Sequence, residues 1–312
     1  MTTTSTTAAG GPQFSLRRSS PRYGEKLIKA LLMACAGVSI ATTLGIIWAL
    51  FVPAFQFFQT IPITDFLFGT QWSPLFADPQ FGVLPLVSGT LIITGIACLV
   101  ALPLGLLTAM YLSEYAADRT RRILKPVLEV LAGIPTVIFG FFALEFVTQV
   151  LLQNIWPQTE VFNALSAGLV MGVMIIPTIA SLSEDAMSAV PRALREGAYA
   201  LGSSKRQVTL KVVVPAALSG IVAAFVLGVS RAIGETMIVA VAAGLQPVLS
   251  LNVLGGMQTM TSFIAAAGSG DQPTGSIGYQ TIFAVGALLF LMTLVMNMFS
   301  IRVVRKFREV YE

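Results

Sequence analysis

The sequence predicts an all-α integral membrane protein with six transmembrane helices. The first observation is composition, because 55% of the 312 residues are hydrophobic and only 11% are charged. A soluble domain usually carries about 25% charged residues. The second observation is six apolar runs long enough to cross a bilayer, which takes about 20 residues each. None of the runs alternates as barrel strands do, so each is predicted to be a helix.

The same runs set the domain organisation. Residues 1–25 are rich in Thr, Ser, Gly and Arg and are predicted to form a disordered cytoplasmic tail. Residues 26–312 are predicted to form one transmembrane domain. Its six predicted spans are 30–52, 83–112, 126–152, 164–186, 216–244 and 279–303.

The basic residues predict the orientation. Of the 19 Lys and Arg residues, all but Arg231 precede span one, lie between spans two and three or spans four and five, or follow span six. The connections on the other side, 53–82, 153–163 and 245–278, contain no Lys or Arg. Because cytoplasmic segments carry the excess of basic residues, both termini are predicted to be cytoplasmic. The formal charge of +4 thus reflects membrane orientation and does not indicate nucleic-acid binding.

The longest cytoplasmic segment, 187–214, is too polar to cross the membrane and is predicted to form a helix–turn–helix. Pro191 suits the first turn of a helix, and Gly202 is placed to end that helix in a left-handed cap. Ser203 or Ser204 can then cap a second helix that begins near Lys205. Pro215 marks the entry to span five. On these grounds alone, a surface helix lying among lipid headgroups is an equally good interpretation.

Span five contains two charged residues, Arg231 and Glu235, near its middle. Facing lipid, such a residue costs from about 3 to over 10 kcal/mol, so both are expected to face a cavity or a partner. Their spacing of four places them on one helical face, where they can pair. A structural ion pair and a translocation site for an anion are both open, since the Arg guanidinium matches an oxyanion in a bidentate way.

Other hydroxyl residues are candidates for the same pathway. Near-twin Ile-Pro-Thr sequences occur at 134–136 in span three and 176–178 in span four, and a proline inside a helix kinks it. The hydroxyls either bond to their own backbone or donate to an anion, and both interpretations stay open. The candidate residues are Thr136, Thr178, Ser181, Ser230 and Thr236.

Further acidic and aromatic residues lie outside the candidate pathway. Glu184 and Asp185 lie near a predicted cytoplasmic helix end, where solvation is easy, whereas Glu145 is deeper and has no assigned role. In segment 53–82, aromatic residues such as Phe66 and Trp72 are expected in the headgroup region or against an outside partner protein.

The segment 187–214 closely resembles a signature of ABC-importer permeases, EAA-x3-G-x9-I-x-L-P. Here the signature reads Glu196-Gly197-Ala198, three residues, Gly202, nine residues, then Val212-x-Val214-Pro215, with every spacing kept. The departures are Gly197 for Ala, Val212 for Ile and Val214 for Leu. The resemblance implies that this segment carries the coupling helices that sit in a cleft of a separate ATPase subunit.

Further stretches resemble the permeases of phosphate-specific (Pst) importers. These stretches are "LAGIPTVIFGFFAL" (131–144), "MIIPTIASLSEDAMSAVPRALREGAYALG" (174–202) and "SRAIGETMIVAVAAG" (230–244). "GETM" at 234–237 is the form of the PstC-type permease, whereas the homologous PstA-type permease usually reads "GETAPL". The resemblance covers about residues 80–308 and implies the type I ABC importer permease fold in the cytoplasmic (inner) membrane of a bacterium or archaeon.

The resemblance also implies a set of partners. These are a PstA-like permease that completes the pore, two PstB-like ATPases, a PstS-like extracytoplasmic phosphate-binding protein, and inorganic phosphate as substrate. It further implies that the partner ATPase binds ATP and Mg, and that this chain binds no cofactor. The sequence agrees, since it has no His and no G-x4-G-K-[ST] loop, so no enzyme activity is expected in this chain.

Two alternatives remain at this point. One is a PstA-type partner or a permease for another oxyanion such as sulfate or molybdate. The other is a membrane channel or a scaffold for a sensor, outside the ABC class.

Overall fold

The computed structural model describes residues 23–74, 76, 78–270 and 272–306. The predicted tail, apart from residues 23–25, lies outside the described residues. The chain divides into two compact units, residues 1–49 and residues 50–312. In the first unit the described residues are helical. In the second unit they form helices joined by non-helical connections, of which the longest are 69–83 and 243–259.

Twelve helical elements occur in the described part of the chain. They are α1 (Tyr23–Thr60), α2 (Ile63–Phe68), α3 (Leu84–Tyr115), α4 (Asp118–Ala132), α5 (Thr136–Ile155), α6 (Ala164–Ser188), α7 (Arg192–Ala200), α8 (Lys205–Ala216), α9 (Leu218–Ile233), α10 (Met237–Ala242), α11 (Met260–Gly268) and α12 (Ile277–Lys306). The last turn of α3 and the middle of α5 and of α8 are wound as wider π-helix.

Five of these helices are long and apolar enough to span a membrane by themselves, namely α1, α3, α5, α6 and α12. The pair α8 and α9 passes the same test together and is bent by 72° at the residue between them. Counting that pair as one span gives six. The all-helical, six-span architecture predicted from the sequence is therefore confirmed.

The predicted third span, 126–152, is wrong at its start. Residues 118–132 form a separate helix, α4, which has only 15 residues and is too short to count among the spans. Pro135 does not kink a continuous helix, but adopts extended backbone (ψ 130°) and precedes the first residue of α5. A proline disfavours helical backbone at the residue before it, so the chain breaks at 133–135. Pro177, by contrast, lies inside the continuous helix α6, as predicted.

The predicted fifth span, 216–244, is also interrupted. Helix α9 ends at Ile233, and Gly234 to Thr236 form a short non-helical link before α10 begins at Met237. Apolar residues flank the link on both sides, which is why the run is predicted as one helix from the sequence.

Helix α6 forms the centre of the second unit. It is the most buried span, with 61% of its most apolar window inside the protein. Two glycines one turn apart let α3 approach closely, because a Cβ on Gly168 would lie 2.7 Å from Cβ of Ile96 and one on Gly172 would lie 2.9 Å from the carbonyl oxygen of Ala97. Such small-residue stripes are typical of packed membrane helices.

The two ends of the bundle differ in chemistry. We call the end that carries α4, α7 and α8 the basic end, and the opposite end, near α2 and α11, the aromatic end. At the aromatic end Phe66 and Trp72 are buried at 1% and 4% exposure, and their rings pack edge to face against Phe57 and Phe263. These two aromatic residues therefore build a core, and the headgroup position considered from the sequence is wrong for them.

Candidate functional site

The segment 187–214 folds as the predicted helix–turn–helix at the basic end. Pro191 is the N-cap residue of α7, one position before the predicted first turn. Gly202 has a φ of +79°, and the amides of Gly202 and Ser203 donate to the carbonyl oxygens of Tyr199 and Ala198 at 2.9 Å and 3.1 Å. This double-bonded helix end requires a left-handed residue, which glycine adopts without strain. Ser204 then caps α8 in a reciprocal capping box with Gln207.

The signature residues of this segment fall into two groups. Glu196, Gly197 and Gly202 are exposed, and a Cβ on either glycine would meet nothing within 4 Å. Ala198 and Val212 instead pack against the core cluster at the basic end. Leu201, at the tip of the turn, is 88% exposed. Pro215 is exposed beside the bend between α8 and α9. The segment thus presents its acidic, glycine-rich side and an apolar tip outward.

Arg195 anchors α7 to the ends of two spans. Its guanidinium donates to Oε1 of Glu114, with Nη2 at 3.1 Å, and to the carbonyl oxygen of Met187 at 2.7 Å. A further donation goes to the carbonyl oxygen of Val190. Glu114 lies at the end of α3 and Met187 at the end of α6, so Arg195 joins α7 to both helices. Sequence reasoning missed this contact, since nothing in the spacing of Glu114 and Arg195 indicates that they meet.

Glu184 is the centre of a second charged cluster. Its side chain is only 1% exposed and accepts hydrogen bonds from Arg121, from Lys125 Nζ at 2.9 Å and from Ser188 Oγ at 2.8 Å. The expectation of an easily solvated carboxylate is wrong for Glu184, because α4 covers this turn of α6. Asp185, which also bonds to Lys125, is exposed as expected.

The pKa of Lys125 is raised above its ordinary 10.5, first by the hydrogen bond to Asp185 and then by that to Glu184. A raised pKa of a cation means that its stabilising contribution is complete below pH 10.5 and is lost only as pH rises through the raised value. Lys125 is therefore charged at neutral pH, and its ion pairs join α4 to α6.

Arg231 lies in the last turn of α9 and reaches across to α6. Its Nη1 donates to Oγ1 of Thr178 at 2.9 Å, and the side chain is half-buried. Arg231 forms no ion pair within the described part of the chain. Because Arg carries five N–H donors, its fork retains donors for a further ligand.

Glu235 does not pair with Arg231, so the ion pair considered from the sequence is absent. The helix ends between the two residues, which removes the i, i+4 geometry that the pair requires. Oε1 of Glu235 instead accepts hydrogen bonds from the backbone amides of Thr236, Met237 and Ile238, at 3.1, 3.0 and 3.3 Å. It therefore caps the start of α10, and its own carbonyl oxygen accepts from Thr261 Oγ1 at 2.7 Å.

The structure brings only one of the remaining candidates to Arg231, namely Thr178. Ser230 donates to Oδ1 of Asn297 on α12 at 3.0 Å, and Thr236 donates to the carbonyl oxygen of Gly234 at 3.3 Å. Among the described residues, the side chains of Thr136 and Ser181 have no hydrogen-bond partner and both are half-buried. The site nearest to an anion-binding arrangement is thus Arg231 with Thr178, at the break in span five.

These features define a multi-pass helical membrane protein with a helix–turn–helix at one end and a polar break in one span. The chain belongs to the family of binding-protein-dependent transport system inner membrane components, whose profile matches residues 101–308.

Several curated proteins are similar over most of their length. A probable ABC transporter permease protein YqgH of Bacillus subtilis is 35% identical over 279 residues, covering 88% of this chain and 89% of that protein. The phosphate transport system permease protein PstC of Haemophilus influenzae is 32% identical over 263 residues, covering 78% and 82%. PstC of Mesorhizobium japonicum is 29% identical and covers 86% of both chains. The similarity to PstC permeases noted in the sequence is thereby confirmed.

Solved structures show the same fold. A chain of a bacterial alginate ABC transporter superposes with a TM-score of 0.62 at 17% identity, covering 91% of this chain and 97% of that one. A chain of the inward-facing MetNI methionine ABC transporter gives a TM-score of 0.54 at 21% identity, covering 73% and 95%. The fold is that of type I ABC importer permeases, and this chain is a permease subunit.

Proposed function

We propose that this chain forms one half of the pore of an ATP-driven importer of inorganic phosphate. The observation that carries the proposal is Arg231, held by Thr178 at the break in span five with donors of its guanidinium left over. A planar fork of donors matches a phosphate oxyanion in a bidentate way. The similarity to PstC permeases supports the same substrate.

The other half of the pore is a homologous permease, and ATP is hydrolysed on two separate ATPase subunits. An extracytoplasmic phosphate-binding protein delivers the anion to the pore. Each ATPase contacts one permease, here through α7, whose exposed Glu196 and Gly197 and apolar tip Leu201 fit a cleft in a partner protein. When ATP draws the ATPases together, the Arg195 contact to Glu114 passes the movement of α7 on to α3.

The substrate is tested by ATP-driven uptake of labelled phosphate into vesicles that hold this chain with its copurifying subunits, with excess sulfate as competitor. We expect uptake that requires ATP and is unchanged by sulfate, and loss of uptake in Arg231→Ala with the complex still assembled. If excess sulfate abolished phosphate uptake, another oxyanion would replace phosphate as the proposed substrate. Uptake without any ATPase would contradict it altogether, and failed assembly in Arg231→Ala would make this residue structural.

The coupling role is tested by Glu196→Lys, which reverses an exposed charge without touching the bundle core. We expect normal levels of the complex, with ATP hydrolysis no longer stimulating uptake. Gly202→Asp places a Cβ at a positive φ. We expect this variant, too, to assemble normally and to hydrolyse ATP without driving uptake. Normal coupled uptake in both variants would show that α7 does not contact the ATPase.

A further inference from the structure

Helix α5 carries an acidic side chain in the middle of a membrane span. Glu145 is nine residues from the first residue of α5 and ten from the last, so it lies roughly 14 Å from either end. It is exposed on the surface of this chain, and its only hydrogen bond among the described residues comes from Gln149 Nε2, at 3.3 Å from Oε2.

The two sides of α5 are distinct. The side that packs into the bundle carries Ala143, Val147, Thr148 and Leu152, all buried. The opposite side carries Glu145 and Gln149 among exposed aromatic residues, including Phe141 at 55% and Phe146 at 44% exposure. The rings of Phe142 and Phe146 stack at 5.1 Å. We call this exposed side, with residues 141, 142, 145, 146, 149 and 150, the Glu145 face.

Lipid does not suit the Glu145 face. A carboxylate has about four acceptor positions, and one amide donor fills one of them without neutralising the charge. An ionisable group at mid-membrane is therefore expected against protein or in a polar cavity. A water-filled pathway is disfavoured, because large aromatic rings surround the single polar pair. One polar pair among apolar side chains is the pattern of contacts between membrane helices, where polar groups bond across the interface.

We infer that the Glu145 face is the contact surface for the second permease subunit. A helix of that subunit packs on the aromatic residues and presents a hydrogen-bond donor, an ammonium, guanidinium or amide group, to the carboxylate of Glu145. The inference rests on the proposed function only in requiring a second permease, and it is independent of the transported substrate. It assigns a role to a residue that the transport pathway and the coupling segment do not use.

The first test is assembly. The affinity-tagged complex is purified with Glu145→Leu, Glu145→Gln and the control Glu129→Leu, which removes an exposed carboxylate on α4, outside the spans. We expect at least a fivefold lower ratio of second permease to this chain for Glu145→Leu, a smaller loss for Glu145→Gln, and no change for the control. Since Glu145 is exposed and bonds only to Gln149 among the described residues, the thermal unfolding of this chain alone should not change. An unchanged ratio in both Glu145 variants would overturn the inference.

The second test identifies what covers the residue. Glu145→Cys is made in a Cys35→Ala, Cys98→Ala background, which removes both native thiols. We expect the new thiol to react in the isolated chain in detergent and to be protected at least tenfold in the assembled complex, from a membrane-impermeant maleimide and a lipid-soluble one alike. Labelling of the complex by the impermeant reagent would place the residue in a water-filled pathway. Labelling by the lipid-soluble reagent alone would place it against lipid, and either result overturns the inference.

The outcomes separate this inference from the proposed substrate. If the complex takes up no phosphate but the thiol of the Glu145→Cys variant is protected, the inferred interface is supported and only the proposed substrate is overturned. A wild-type complex that contains no second permease would overturn both.

Discussion

The side chain of Arg231 is held by a hydroxyl rather than by a carboxylate. Thr178 is a neutral acceptor, so its hydrogen bond does not neutralise the positive charge of Arg231, whereas a paired Glu235 would have done so. The sequence spacing suggested a neutralised pair. The structure instead separates a cation that faces the bundle interior from a carboxylate that is bonded to backbone amides.

The contact between Arg231 and Thr178 gives the first prediction. Thr178→Val keeps the shape of the side chain but removes the acceptor, so the guanidinium loses its fixed position. A hydrogen bond to a charged group is worth about 1.5–3 kcal/mol, and we expect transport to fall by roughly tenfold or more. Thr178→Ser retains the hydroxyl and should transport nearly as well as the wild type. Vesicle uptake rates check this, and a loss in Thr178→Ser with none in Thr178→Val would show that the methyl group matters instead.

Glu235 gives the second prediction, because its oxygen binds three consecutive backbone amides. Glu235→Ala leaves those donors without an acceptor, and loss of a cap costs about 0.5–2 kcal/mol. We expect the free energy of unfolding, measured by denaturant titration in detergent, to fall within that range. Glu235→Gln keeps a carbonyl oxygen and should lose less than half as much. If both variants lose the same amount, the charge rather than the cap stabilises this link.

At the scale of elements, local signals were predicted well and long-range contacts were not. The helix–turn–helix of 187–214 follows from residues close in sequence, Gly202 for the left-handed turn and Ser204 for the next cap, so the sequence was sufficient. The breaks near Pro135 and Gly234 are also local. The sequence does not reveal them because apolar residues on both sides of each break make the run appear continuous.

Burial of charge depends on which distant helix covers a residue. Glu184 and Arg121 are 63 positions apart. The spacing of apolar residues in the sequence therefore does not predict that α4 covers this turn of α6. The only sequence signal was the spacing of Arg121 and Lys125, one helical turn apart, which places two cations on one face of α4. For the same reason the sequence predicts that Arg231 faces a cavity or a partner but does not identify Thr178 as the residue that it contacts.

The contact of Glu184 with Arg121 and Lys125 gives the third prediction. Removing the two cations should destabilise the protein more than removing the carboxylate. Arg121→Met with Lys125→Met leaves a buried carboxylate with only Ser188, and breaking a buried pair in this way costs about 3–5 kcal/mol. Glu184→Gln leaves two cations whose side chains are 37% and 29% exposed and can be solvated, so we expect a loss of only about 1–2 kcal/mol. Unfolding titrations of the purified chain measure both, and the opposite order would mean that water reaches Glu184.

At the scale of the whole molecule, charge is segregated between the two ends of the bundle. The basic end holds the described cations that bond to Glu114 and Glu184. The segments at the aromatic end, 53–82 and 245–278, contain no Lys or Arg and include the acidic residues Asp65 and Asp78. If the transported substrate is an anion, as proposed, these two segments offer it no attracting charge, which fits delivery by a binding protein better than capture from solution.

The fourth prediction concerns the orientation that this segregation implies. Thr70→Cys, at the aromatic end, and Ser203→Cys, in the turn between α7 and α8, are made separately without Cys35 and Cys98. Because basic segments remain in the cytoplasm, a membrane-impermeant maleimide should label Thr70→Cys in intact cells and label Ser203→Cys only after permeabilisation. The opposite pattern would place α7 outside the cell, where no ATPase can reach it, and would remove the physical basis for coupling through this segment.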